Sequence, residues 1–123
     1  MATLADVRKI SLALPEVVEG GHGFGFGVLN KGKLKGFVWS WKERVTPKKP
    51  RIENLKVMAI RVRNLAEREA ILASSSKKFF TEPHYNGYPA VLVRLDAIPR
   101  AELKILLEDG WRCLAPKHLL EKD

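Results

Sequence analysis

The dipeptide Asn86-Gly87 places the tightest constraint on the fold, because it lies between two apolar runs rich in β-forming residues. Asn-Gly is a preferred pair for a two-residue hairpin turn, since both residues tolerate positive φ. The unit 79–95 therefore predicts a β-hairpin with a tight turn at its centre.

Three further strands are predicted upstream of this hairpin. Residues 26–29 can begin a strand, residues 30–33 supply turn residues, and residues 35–42 form the next strand. In that strand Phe37, Trp39 and Trp41 alternate with other residues, the period of a half-buried strand. We interpret these three aromatic residues as one face that packs into the core, in preference to a platform on which nucleic-acid bases stack. The aliphatic run 55–62 predicts the third strand.

Three helices complete the order of elements. Thr3 with Asp6 forms a capping-box pattern for a helix over 4–13, and Asn64 with Glu67 begins a second helix that ends near residue 73. Pro99 suits the first turn of a final helix. The order is α-β(3)-α-β(2)-α, which predicts an α+β fold with an antiparallel sheet and helices packed on one side. At 123 residues the chain is expected to form one domain, 1–123.

The residues that carry chemistry are few and far apart. Cys113 is the only cysteine, so it can form no internal disulfide, and we expect it to be a small core residue. His22, His84 and His118 lack the spacing of metal ligands, so neither metal nor cofactor is expected. The glycine-rich run 20–27 follows a helix and precedes a strand, the wrong order for a phosphate-binding loop. With no nucleophile or acid–base pair, we expect a non-enzymatic protein.

Targeting signals are also missing from the sequence. No apolar run follows a basic N-terminal stretch, and no segment is long and apolar enough to span a bilayer. We therefore expect a cytoplasmic protein with no membrane partner.

The positive charge of the chain is concentrated in one segment. Residues 31–51 hold eight basic residues and one acidic residue, a net charge of +7, while the whole chain carries +8. Such a segment predicts contact with a polyanion through its phosphates, although it is also compatible with a solvated surface. The candidate nucleic-acid-binding residues are Lys31, Lys33, Lys35, Lys42, Arg44, Lys48, Lys49 and Arg51.

Two pairs of residues receive a structural interpretation. His84 and Tyr85 are expected to fix the hairpin by hydrogen bonds and edge packing. Arg94 and Arg112 lie in apolar contexts, so each is expected to pair with a carboxylate.

A family resemblance extends over nearly the whole chain. The hairpin and the last helix resemble the signature of the MmcQ/YjbR family, and the matching segments are Phe79-Phe80-Thr81-x-Pro83-His84-Tyr85-x-Gly87-Tyr88-Pro89-x-Val91-Leu92-Val93-Arg94-Leu95, Glu102-Leu103, Trp111-Arg112 and Ala115-Pro116. Upstream, Leu14-Pro15-Glu16-Val17 and Phe26-x-Val28 match the family's opening.

The resemblance implies a YjbR-like fold, which is similar to that of secretion chaperones and is described as a double-wing DNA-binding fold. It marks seven residues as family motifs with an expected structural role: His84, Tyr85, Gly87, Tyr88, Arg94, Trp111 and Arg112. Gly110 stands where such proteins commonly have alanine, which is expected to weaken the helix by about 1 kcal/mol.

Two functions remain in competition at this point. The first is a DNA-binding protein, monomeric or weakly dimeric, whose basic hairpin and loop contact phosphates with little sequence specificity. The alternative is a protein-interaction or chaperone-like module that binds no nucleic acid.

Overall fold

The structure is a computed structural model that describes residues 1–20, 23–43 and 48–120. Its elements are, in chain order, α1 Leu4–Leu12, β1 Val17–Glu19, β2 Gly25–Asn30, β3 Lys33–Glu43, β4 Ile52–Arg61, α2 Leu65–Ser74, β5 Phe79–Phe80, β6 Ala90–Arg94, α3 Arg100–Leu114 and α4 Lys117–Leu120. The predicted order α-β(3)-α-β(2)-α is confirmed by α1, β2, β3, β4, α2, β5, β6 and α3. The short strand β1 and the short helix α4 are additions to it.

The helix starts follow from local side-chain chemistry. At α1 the Thr3 hydroxyl accepts from the Asp6 amide and the Asp6 carboxylate accepts from the Thr3 amide, so the predicted capping box is present. At α2 the Asn64 side chain accepts from the Glu67 amide at 2.8 Å. Pro99 lies one position earlier than predicted, at the N-cap of α3.

The six strands form one antiparallel sheet in the order β1-β2-β3-β4-β6-β5. The helices pack against one side, here called the covered face, and the other side is called the open face. Alternation along each strand divides the apolar residues between the two. The covered face carries Phe26, Val28, Val38, Met58, Ile60, Val91 and Val93 under Leu103, Leu107 and Trp111 of α3. The open face carries a smaller cluster of Val57, Ala59, Ala90 and Leu92.

A β-bulge in β3 separates the aromatic residues that the sequence placed together. Gly27 of β2 pairs with Gly36 and Phe26 pairs with Val38, so Phe37 has no partner in that ladder. Phe37 is fully buried in the covered-face core, whereas Trp39 and Trp41 pack on the open face. The prediction that these three residues share one face is therefore wrong, because the extra residue shifts the alternation.

The turn at Asn86 also differs from the prediction. Strands β5 and β6 do pair antiparallel, but residues 81–89, here called the motif loop, lie between them. Asn86 has φ −59° and ψ 129°, Gly87 has φ 77°, and the Tyr88 amide donates to the Tyr85 carbonyl at 3.0 Å. These values describe a type II turn inside a longer loop, so only the glycine adopts positive φ.

Gly110 permits a close contact between α3 and the sheet. A Cβ atom at this position would lie 2.8 Å from the backbone oxygen of Arg61, a distance that real Cβ contacts essentially never show. Glycine lowers the intrinsic helix propensity, as expected, but alanine would push α3 away from β4. The tertiary contact therefore outweighs the propensity argument at this position.

Candidate nucleic-acid interface

The tip of the β2–β3 hairpin carries lysines in and beside a two-residue turn. Lys31 has φ 54° and Gly32 has φ 79°, and Asn30 pairs with Lys33 across the turn, the pattern of a type I′ hairpin. Lys31, Lys33 and Lys35 are all exposed, and none forms an ion pair with a carboxylate within the described part of the chain. Their full charge is therefore available to an anionic ligand.

The C-terminal helix brings further basic residues to this tip. The Asn30 side chain donates to the Leu114 carbonyl at 2.9 Å and so ties the hairpin to the end of α3. A cleft of about 510 Å³ lies between the hairpin and α4. The described residues that line it include Lys31, Lys117 and His118, together with the acidic Glu16. We call this group the basic cleft.

The other candidate residues lie at the opposite end of β3. Lys33 and Lys42 are nine residues apart in one strand, which corresponds to about 30 Å. Lys48 and Lys49 follow the same end and are exposed. The basic segment is thus two separate groups of charges, and Arg44 lies outside the described residues.

Arg51 and Lys42 are engaged within the protein. Arg51 donates to the Glu82 carboxylate at 2.9 Å and to the Lys42 carbonyl at 2.6 Å. The Lys42 ammonium lies 3.8 Å from Glu53. Hydrogen bonds from the Phe24 amide and the Ser40 hydroxyl hold the pKa of the Glu53 carboxyl below its ordinary value. These partners reduce the charge that this end of the sheet offers to a ligand.

The open face holds an ordered aromatic cluster at its centre. The Trp39 indole N–H donates to the Tyr85 hydroxyl at 3.1 Å, and the Trp39 ring meets the Tyr88 ring edge-on at 6.2 Å. The Trp41 indole N–H donates to Glu82 at 2.9 Å. Burial raises the pKa of the Tyr85 hydroxyl, which therefore stays a neutral hydrogen-bonding group.

The motif loop is fixed from below by Arg68 of α2, a residue that sequence reasoning missed. Its guanidinium is almost fully buried and donates to the carbonyls of Tyr85 and Tyr88 at 2.7 and 3.3 Å. A buried arginine satisfying two loop carbonyls leaves no signal in the sequence, because its partners follow 17 and 20 residues later. His84 is exposed and packs edge-on against Tyr85, as predicted.

The remaining motif residues contribute to packing. Arg94 stacks 4.1 Å above the Phe80 ring and donates to the Ser76 carbonyl, and among the described residues it has no carboxylate partner, contrary to the prediction. Arg112 lies 3.6 Å from Asp109, in agreement with its prediction. The buried Trp111 donates to the Pro15 carbonyl.

Cys113 is exposed, which corrects its placement in the core, because the α3 face that packs on the sheet carries Gly110 and Trp111 instead. Among the described residues, no group of three histidine, cysteine, aspartate or glutamate side chains could hold a metal ion. No described helix has the length and apolar character needed to cross a membrane.

Comparison with known proteins gives relatives without a known activity. The chain is 32% identical over 122 residues to the uncharacterized protein Mb2600 of Mycobacterium bovis, covering 98% of this chain and 95% of the relative. The same values hold for the uncharacterized proteins MT2646 and Rv2570 of Mycobacterium tuberculosis. No family model matches the chain.

One solved structure has a similar fold. It is the crystal structure of Deinococcus radiodurans protein DR2400, a DUF419 domain, with a TM-score of 0.66 and 20% sequence identity over 90% of this chain and 77% of that chain. At this identity the similarity concerns the fold alone.

Proposed function

The chain belongs to the family of the uncharacterized mycobacterial proteins Rv2570, MT2646 and Mb2600, and from that premise we propose that it is a non-enzymatic DNA-binding protein of the MmcQ/YjbR type. In this proposal the hairpin tip and the basic cleft contact the phosphates of a duplex. The protein acts in the cytoplasm, where DNA is accessible to it.

The observation that carries the proposal is the set of exposed lysines on the β2–β3 hairpin. Lys31 lies in the type I′ turn, and Lys33 and Lys35 lie in the hydrogen-bonded strand β3, so little conformational entropy of the backbone is lost on binding. Each lysine that neutralises a phosphate releases counterions, which makes affinity fall with salt. Lys117 and His118 extend the same surface beside the hairpin.

The proposed contacts do not distinguish one DNA base sequence from another. Helix α3 packs on the sheet, and its two arginines are engaged within the protein: Arg100 with Asp6 and Arg112 with Asp109. Helix α3 therefore offers no row of uncompensated arginines to the major groove. Binding through phosphates alone predicts weak sequence specificity.

The test is fluorescence anisotropy with a random-sequence duplex over a salt series. A variant with Lys31→Gln, Lys33→Gln and Lys35→Gln is expected to lose about tenfold or more in affinity at low salt. Its log–log salt slope should fall by about 2 to 3, since each lost phosphate contact removes about 0.9.

A charge-matched control separates local contacts from net charge. Lys9→Gln, Lys77→Gln and Lys104→Gln remove the same charge from exposed positions in α1, in the α2–β5 connection and in α3. Equal affinity of the two triple variants would contradict the hairpin proposal. A Lys48→Gln, Lys49→Gln variant reports on the far end of the sheet. Arg51 is left intact there because its bond to Glu82 supports the fold.

A second candidate function, a protein-interaction or chaperone-like module, is favoured by the apolar side chains on the open face. Val18, Leu29 and Leu34 lie on the β1–β2–β3 part of that face and are each between 37% and 43% exposed. A module of this kind buries such residues in a dimer or against a client. Size-exclusion chromatography with light scattering that finds only monomer up to high concentration would count against the dimeric form.

A further inference from the structure

Strands β2 and β3 leave a trough on the open face where other strands carry side chains. Gly27 pairs with Gly36, so neither strand raises a side chain at this level of the sheet. The resulting cavity of about 310 Å³ is lined by Leu34 and Trp39, among other residues. This volume is at the lower end of the range for small-molecule sites. We call it the glycine trough.

The floor of the trough is backbone, and the packing around it requires glycine. A Cβ atom at Gly27 would lie 2.9 Å from both the Leu34 side chain and the Lys35 carbonyl oxygen. At Gly36 the situation differs, since among the described residues a Cβ atom there would meet only the Trp39 ring, at 3.9 Å. A side chain at Gly36 would therefore occupy the trough without colliding with the backbone.

Trp39 forms the aromatic wall of the glycine trough and is held in place without a ligand. The Trp39 indole is fixed by its hydrogen bond to Tyr85 and its edge contact with Tyr88. A fixed aromatic side chain offers stacking area at low entropic cost. Opposite it, Leu34 is 43% exposed and supplies an apolar wall.

Charge complementarity indicates what the trough binds. The Arg61 guanidinium lies 5.9 Å from the centre of the Tyr88 ring, which packs against Trp39. The Lys42 ammonium, by contrast, lies 3.8 Å from Glu53. The whole chain carries +8. A flat apolar group joined to an anion matches a narrow aromatic slot with cations near it. A nucleotide has both properties.

We infer that the glycine trough holds one unpaired base of a single-stranded nucleic acid against Trp39, with Arg61 contacting an adjacent phosphate. The inference rests on the proposed DNA-binding function and specifies its preferred substrate. A base inside a duplex is paired and stacked, so it cannot enter the trough, whereas an unpaired base can. The hairpin lysines then contact the backbone of the same strand.

The experiment compares a fluorescein-labelled dT 12-mer with a duplex of the same length, using anisotropy and tryptophan emission. Gly36→Val fills the trough and is expected to weaken single-strand binding about tenfold while leaving duplex affinity unchanged. Trp39→Leu is expected to weaken it similarly and to abolish quenching of tryptophan emission. Trp41→Leu is the matched control, because its indole bonds to Glu82 outside the trough, and it should retain both binding and quenching.

Each result supports or overturns a distinct statement. Single-strand binding by Gly36→Val and Trp39→Leu at wild-type affinity overturns the trough inference, whether or not duplex binding still depends on the hairpin lysines. If instead Gly36→Val and Trp39→Leu lose affinity for the single strand while the hairpin triple variant binds with wild-type affinity, the trough inference is supported and the hairpin proposal is contradicted. Absence of binding to either DNA form at low salt overturns both.

Discussion

The covered and open faces of the sheet are built from the same strands but are stabilised in different ways. Under the helices, side chains such as Phe37, Met58 and Ile60 have no exposed surface and pack against α3. On the open face, Trp39 and Trp41 are half-buried, and each indole N–H has a hydrogen-bond partner. The covered face therefore supplies stability by burial, while the open face is ordered by directed polar contacts.

This difference indicates that the open face is the side of the sheet available as a binding surface. A face that no described helix covers keeps its aromatic groups accessible only if something else holds them in position. Here the motif loop does so, through Tyr85 and Tyr88, and Arg68 holds the loop. The motif loop and Arg68 thus hold the open-face aromatic residues in position, as the helices do for the residues of the covered face.

The largest expected effect is on the covered face. Phe37→Ala should lower the free energy of unfolding by about 3–5 kcal/mol, because it removes a fully buried ring from a close-packed core. Phe80→Ala, on the open face, should cost about half as much, because its side chain is only partly buried. Urea unfolding measures both. Equal costs would break the comparison and mean that the open face is packed as tightly as the core.

A smaller effect is expected where α3 meets the covered face. Gly110→Ala should lower the free energy of unfolding by about 1–3 kcal/mol, since the new methyl group meets the Arg61 carbonyl oxygen. The exposed Lys104→Ala on the same helix is the control and should change stability by less than about 0.5 kcal/mol. A stabilised Gly110→Ala protein would show that helix propensity outweighs the close contact.

The smallest effect concerns Glu53 and depends on pH. Its pKa is lowered in the folded state from an ordinary value of 4.5, so its contribution to stability is present above that value and is lost as pH falls through the folded pKa. Glu53→Gln should therefore cost about 1 kcal/mol at pH 7. The difference from wild type should shrink in acid. Thermal unfolding from pH 7 to pH 3 tests this, and a difference that does not change with pH would contradict it.

Much of the fold could be predicted because its signals are local. The capping residues Thr3 and Asn64 each accept from an amide three residues away, so sequence alone located both helix starts. Strand periodicity and turn residues likewise act over a few positions. The order of elements and the antiparallel sheet follow from these signals.

Three of the differences from the predictions, at Phe37, Gly110 and Cys113, have a common cause in contacts between distant residues. Phe37 lies on the covered face, not on the face of Trp39 and Trp41, because β2 has one residue fewer than β3 at the bulge. Glycine is favoured at position 110 because the Arg61 carbonyl, 49 positions earlier in the chain, leaves no room for a Cβ atom. Cys113 is exposed because other α3 residues contact the sheet. Propensity and periodicity carry no information about such partners.

The candidate site divides in the same way. The sequence showed which residues are basic and that they are concentrated between Lys31 and Arg51. Only the structure showed that β3 separates them into two ends, that Arg51 is paired with Glu82, and that Lys117 lies beside the hairpin.

By itself, therefore, the sequence determined the elements, the sheet and the sign of the charge, because caps, periodicity and composition act through neighbours along the chain. The tertiary structure decided which face each aromatic residue occupies, which charges remain exposed and where glycines leave a trough. These properties depend on the register between strands and on the approach of helices, and both are set by packing across the whole molecule.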